Sequence, residues 1–173
     1  MNNLTQVIAA VSTPPGKGGV AIIRVSGEDA VEIAKKVFFP RSKKSLTDYP
    51  KRTQIYGDIR YGEECIDDGM ATCFFAPESY TGEDVVEISC HGGVLVTKQV
   101  LRAVLQSGAK PAEAGEFTKR AFLNGKMSIT QAEAVMEMIN ATSNQALNAA
   151  KSALEGHLFV FLFWLHWVFE EDS

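Results

Sequence analysis

Two short apolar runs each carry a single charge, and that pattern constrains the fold more than any other feature of the chain. Val20-Ala21-Ile22-Ile23-Arg24-Val25 and Val85-Val86-Glu87-Ile88-Ser89-Cys90 read as buried strands. Burying an unpaired charge is costly, so Arg24 and Glu87 must each find a partner. Two arrangements satisfy that requirement. In one, the two charges pair with each other or with other core groups and hold the sheet together. In the other, both line a pocket and meet a ligand carrying matching groups. Lys126, in Asn124-Gly125-Lys126 at a break between two helical stretches, is a third candidate group, or else a solvated turn lysine.

Around these runs the pattern alternates between strand-like and helix-like segments. Val7 to Val11 is a short apolar run closed by the breaker-rich loop Thr13-Pro14-Pro15-Gly16-Lys17-Gly18-Gly19. Ala30, Ile33, Ala34, Val37 and Phe38 recur at helical spacing, which predicts an amphipathic helix over 28–38. The segment 53–60 and the segment 65–75 read as two strands joined by a turn at Tyr61-Gly62-Glu63. After His91-Gly92-Gly93 a helix is predicted, with Val96, Val100 and Val104 on one stripe and Leu101 and Leu105 beside it. From Gly115 onward the pattern is helical. Thr130-Gln131-Ala132-Glu133 reads as a capping box, followed by Ala132, Val135, Met136 and Ile139 at helical spacing and a seam at Leu147, Ala150 and Leu154. The expectation is an α+β body followed by α-helices, with no internal repeat.

Composition sets the outer bounds. A chain of 173 residues that is 46% hydrophobic and 22% charged can build a core without covalent staples. Its net charge of −4 excludes a generic nucleic-acid coat protein, though not a local basic patch such as Arg41, Lys43, Lys44, Lys51 and Arg52. Three cysteines without a CxxC pair argue against a disulfide framework and for a reducing, cytoplasmic setting. The N-terminus lacks the basic start and apolar stretch of a signal peptide. The uncharged run 158–169, LFVFLFWLHWVF, is too short for a membrane-spanning helix, which needs about 20 apolar residues.

Several chemistries fail on spacing. The loop at Pro14 to Gly19 is not a Walker A sequence, because Lys17 is followed by Gly18 rather than Ser or Thr. It reads as a tight loop joining two strands, with a binding role for its backbone N–H groups left open. Cys90 and His91 are adjacent on a strand and point to opposite faces, so they form no thiolate–imidazole dyad. His91-Gly92-Gly93 has the look of an esterase oxyanion motif, but no GxSxG elbow accompanies it. Cys65, Cys73, Cys90, His91, His157 and His166 lack metal-ligand spacing. Neither a catalytic residue nor a metal site is expected.

Five segments in order carry a specific likeness. They are the loop 13–19, Tyr80-Thr81-Gly82-Glu83-Asp84-Val85-Val86-Glu87, His91-Gly92-Gly93, the stretch from Gly115-Glu116-Phe117-Thr118 to Asn124-Gly125-Lys126, and Gln131-Ala132-Glu133-Ala134. Together they resemble the N-terminal part of the MnmE/TrmE family of bacterial and organellar tRNA-modification GTPases. The resemblance implies a mixed sheet with packed helices, related to the tetrahydrofolate-binding domain of glycine-cleavage aminomethyltransferases. It implies a folate-binding and dimerisation domain over 1–118, the start of a helical domain over 119–156, and an atypical apolar tail over 157–173. It further implies a homodimer that binds 5-formyltetrahydrofolate or a related tetrahydrofolate, with ligand contacts on Arg24, Glu87 and Lys126. The chemistry of those groups agrees. One carboxylate can accept two hydrogen bonds from the paired donors of a pterin edge, and a cation matches the anionic folate tail. Which cation, Arg24 or Lys126, would meet the tail stays open.

In the family, as the resemblance implies, the protein acts with an FAD-dependent partner to place an aminomethyl-type group on the wobble uridine of tRNA. GTP, Mg and K are expected only with the family's GTP-binding domain, whose Walker A loop this sequence lacks, so the chain is expected to be a shortened form without GTPase activity. Two other readings stand beside this one. A stand-alone folate-dependent one-carbon transferase is disfavoured by the helical continuation from Glu133 to Leu154. A dimerisation module without folate binding is the other.

Overall fold

The computed structural model describes residues 6–155, and the chain divides after Phe117 into two compact units. The first unit contains β1 (Ile8–Val11), β2 (Val20–Ser26), α1 (Ala30–Lys35), β3 (Phe38–Pro40), β4 (Ile55–Tyr61), β5 (Glu64–Phe74), β6 (Val85–His91), α2 (Val94–Gln106) and β7 (Lys110–Pro111). A single 3-10 turn, Leu46–Asp48, interrupts the connector between β3 and β4. The strands form one mixed sheet of order β3-β4-β5-β6-β2-β1-β7. All neighbours are antiparallel except β1 and β7, which run parallel. The architecture is α+β, as the sequence predicts.

Alternation along the central strands decides where the core lies. Ala21, Ile23 and Val25 of β2, Val86, Ile88 and Cys90 of β6, and Ala71 and Cys73 of β5 are all buried on one face. Helices α1 and α2 cover that face, supplying Ala30, Ile33, Ala34, Val100, Ala103 and Val104 to the same cluster. Each such fully buried Val or Ile stabilises the fold by about 1.5–3 kcal/mol relative to exposure. The opposite face carries Ile22, Arg24, Met70, Thr72, Glu87 and Ser89, none of them fully buried. A sheet covered on one side and half open on the other is what an antiparallel arrangement permits.

The predicted helix over 28–38 is shorter than its periodicity suggests. It ends at Lys35, and Phe38 instead begins the edge strand β3, paired with Ile59 of β4. Phe38 owes its burial to the sheet rather than to a helix face. A Cβ added to Gly57 would come within 2.7 Å of the Phe38 ring, so the glycine makes room for it.

The second unit contains most of α3 (Glu116–Leu123), together with α4 (Ile129–Asn140) and α5 (Asn144–Glu155). A Schellman motif ends α3. Gly125, at φ +70°, donates to the Phe122 carbonyl at 3.0 Å, and the Lys126 N–H donates to the Ala121 carbonyl at 2.8 Å. The capping box of α4 lies two residues before the expected one: Ser128 accepts from the Gln131 N–H, and the Gln131 side chain accepts from the Ser128 N–H. Ser128 has the extended backbone that an N-cap needs, whereas Thr130 is already inside the helix. The expected stripe on α4 is also rotated. Ala134 is buried, while Met136 and Ile139 are exposed; on α5, Ala150 is buried between half-buried Leu147 and Leu154. No helix among the described residues is long and apolar enough to cross a membrane, and the aromatic run 158–169 lies outside them.

Candidate functional site

Arg24 and Glu87 are direct cross-strand partners in the β2–β6 register. The Arg24 Nε and Nη2 both approach Glu87 Oε1, at 2.8 Å and 2.7 Å. The two charges therefore pair with each other, which is the first of the two arrangements that the sequence leaves open. Their side chains retain 21% and 11% of their exposure, so the pair sits at the surface of the half-open face rather than in the core. Two aromatic rings complete its surroundings. The guanidinium carbon of Arg24 lies 5.3 Å from the centroid of Tyr80 and 5.7 Å from that of Phe117, within the range of cation–π attraction.

Both Arg24 contacts end on one carboxylate oxygen. A carboxylate has about four lone-pair directions, and this geometry draws on those of Oε1 while leaving Arg24 unbonded to Oε2. A donor edge on a ligand can reach Glu87 through Oε2, or through both oxygens if Arg24 gives up one contact. The residues fit a pterin-like edge on those terms. Lys126 is half-buried and lies in the second unit, fixed at backbone level by the Schellman motif.

A profile of the family described as GTP-binding protein TrmE N-terminus matches residues 7–126. The chain belongs to this TrmE family. It is 48% identical over 155 residues to the tRNA modification GTPase MnmE of Clostridioides difficile, covering 90% of this chain and 34% of that protein. It is 50% identical over 153 residues to the protein of the same name from Enterococcus faecalis, and 46% identical over 153 residues to that from Bacillus subtilis. In each case the chain spans about a third of the relative's length. The family match contains Arg24 and Glu87 and ends at Lys126.

The two glycine motifs of this TrmE domain meet each other. Gly18 donates its N–H to the Gly92 carbonyl at 3.0 Å, and Gly92 donates to the Gly19 carbonyl at 3.2 Å. The loop at 13–19 is thereby stitched to the end of β6, and the backbone N–H of Gly18 is already engaged. Two further groupings in the TrmE unit escape sequence reasoning. Asp67 accepts from the His91 backbone N–H and contacts His91 Nδ1, each at 2.8 Å. Asp67, Asp68 and His91 bring metal-ligating atoms within 4.8 Å of one another, although Asp68 already accepts from the Tyr56 hydroxyl at 2.6 Å. Ser26 Oγ lies 2.7 Å from Thr81 Oγ1 and donates to Glu83 Oε2 at 2.8 Å. None of these pairs is visible in residue spacing, because each joins separate strands or loops. Cys73 and Cys90 are buried and their thiols are pushed up to about 11, chiefly by burial, so they are poor nucleophiles.

Proposed function

We propose that this chain is a folate-binding and dimerising domain that serves tRNA modification in the cytoplasm. In this reading it binds 5-formyltetrahydrofolate or a related one-carbon folate through Arg24, Glu87 and Lys126. The observation that carries the reading is the Arg24–Glu87 pair, largely buried but with an exposed edge on the open face of the sheet and flanked by Tyr80 and Phe117, in a member of the TrmE family. A fully buried pair would serve only the sheet. One with an open edge and a carboxylate oxygen unclaimed by Arg24 can also receive a ligand.

The bound folate would supply the one-carbon unit. The chain's own residues orient it: Glu87 accepts from the donor edge of the pterin, while Arg24 or Lys126 meets the anionic tail. The domain works as a homodimer, alongside an FAD-dependent partner protein and tRNA, toward aminomethyl-type modification of the wobble uridine. GTP hydrolysis, with Mg and K, belongs to the parts of the relatives that this chain does not match.

Titrating a reduced folate into the purified chain tests the reading. Glu87→Gln keeps a carbonyl acceptor for Arg24 but removes the charge, and is expected to weaken folate binding by about 1–3 kcal/mol. Unchanged affinity together with a lower unfolding midpoint would assign the pair to holding β2 against β6. Sedimentation at micromolar concentration is expected to show a dimer; a single 18.9 kDa species would remove dimerisation from the reading.

A further inference from the structure

We propose that Ser26, Thr81 and Glu83 form a positioning device that holds the Tyr80 ring against Arg24. Ser26 and Thr81 are both fully buried, at 0% exposure, and lie beside the Arg24–Glu87 pair in the fold. Ser26 closes β2 two residues after Arg24, so its side chain points to the same face. Thr81 follows Tyr80 directly in the loop that leads into β6.

Proton counting makes the grouping directional. Ser26 has one hydroxyl proton, which goes to the Glu83 carboxylate, since a carboxylate can only accept. The 2.7 Å contact between the hydroxyls is then donated by Thr81 to Ser26 Oγ. Thr81 Oγ1 in turn accepts from the Glu83 backbone N–H at 3.3 Å. The three residues thus close a ring with a single consistent sense. Ser79 donates to the Glu83 carbonyl, which closes the loop across Tyr80, and Gly27, directly after β2, donates to the Asp84 carbonyl at 3.0 Å. Because breaking the ring costs the buried Ser26 and Thr81 hydroxyls their mutual hydrogen bond, the ring favours one position of the loop.

The consequence falls on Arg24. Glu87 holds one edge of the guanidinium, whose carbon lies over the Tyr80 and Phe117 rings. A cation held by a carboxylate at one edge and by two rings has a restricted orientation, which directs its remaining N–H groups toward a carbonyl or carboxylate oxygen of a ligand. This rests on the folate reading for the ligand, but not for the positioning itself.

The Arg24 Nε–H resonance of the full chain reads the positioning without any ligand. Its ring-current shift is expected to change strongly in Tyr80→Leu, where only the Phe117 contribution remains, to be retained in Tyr80→Phe, and to change in the same sense but less in Thr81→Val, which keeps the Tyr80 ring but breaks the hydroxyl ring. A wild-type shift in Thr81→Val would overturn the proposal. Should Thr81→Val fail to fold, Ser26→Ala breaks the same ring with a smaller change and the same expectation. Titration with 5-formyltetrahydrofolate is the second arm: affinity should fall about tenfold in Thr81→Val and Tyr80→Leu and be restored in Tyr80→Phe. If the wild type does not bind the folate while the resonance responds as stated, the folate reading fails and the positioning role stands.

Discussion

A charge inside an apolar strand is visible in sequence, but its partner is not. Arg24 and Glu87 stand out because the residues on either side of each are apolar, and the structure puts them opposite each other only through the β2–β6 register. His91 shows the limit more sharply. Its carboxylate, Asp67, lies 24 residues away on β5, and the two meet only through the pairing of β5 with β6, which no local pattern announces. The hydrogen bond to Asp67 holds the His91 imidazolium above the usual imidazole range, with the charge of Asp67 adding to it. A pKa raised in the folded state means that the charged imidazole favours folding. That contribution is complete in mildly acidic solution and is lost as pH rises through the folded pKa. The Cε1–H resonance absent from His91→Gln is therefore expected to titrate on the alkaline side of an ordinary histidine. Asp67→Asn should return it to the ordinary range, and an unmoved titration would mean that the contact does not persist in solution.

At the scale of elements, the two glycine motifs are the instructive case. Each was readable alone, as a loop and as an oxyanion-like tripeptide, yet their shared purpose lies in the contact between them. A Cβ on Gly92 would sit 2.4 Å from the Gly18 carbonyl oxygen and 3.0 Å from the Val20 nitrogen, both backbone atoms that cannot rotate away. Around a Cβ on Gly19 there is nothing within 4 Å. Gly92→Ala is therefore expected to destabilise the chain by about 1–3 kcal/mol in urea unfolding. Gly19→Ala should be neutral or slightly stabilising, since it mainly restricts the unfolded chain. Equal effects of the two would show that the stitch between the loop and β6 contributes no stability. The helix predicted over 28–38 fails for a related reason. Its spacing was genuine through Ala34, but Phe38 satisfied the same period while belonging to β3, and periodicity cannot separate a helix end from an adjoining edge strand. On α4 and α5 the fully buried positions are Ala134 and Ala150 rather than the larger residues, so a stripe chosen by hydrophobicity on α4 put exposed Met136 and Ile139 on the buried side.

The whole molecule combines a TrmE-family unit, whose α+β class was legible from the alternation of segments, with a helical unit that begins inside α3. Its relatives are named as GTPases and are about three times as long as the matched region. Cradling a triphosphate requires a glycine-rich loop that ends in Lys and then Ser or Thr and opens a helix, so that backbone N–H groups and the helix dipole converge on the phosphates. Only Lys17 and Lys126 directly follow a glycine, and the next residues are Gly18 and Met127. The Lys17 loop leads into strand β2 rather than a helix, and its Gly18 N–H is bonded to Gly92. Lys126 comes after the end of α3, where the helix presents carbonyl groups and the negative end of its dipole. Both lysines thus sit in the wrong electrostatic setting for a nucleotide. Equilibrium dialysis with labelled GTP and Mg is expected to show no saturable binding up to high micromolar concentration, and phosphate release should match the buffer rate. Saturable micromolar binding that is lost in Lys17→Gln would place a nucleotide site on the glycine loop and overturn this assignment.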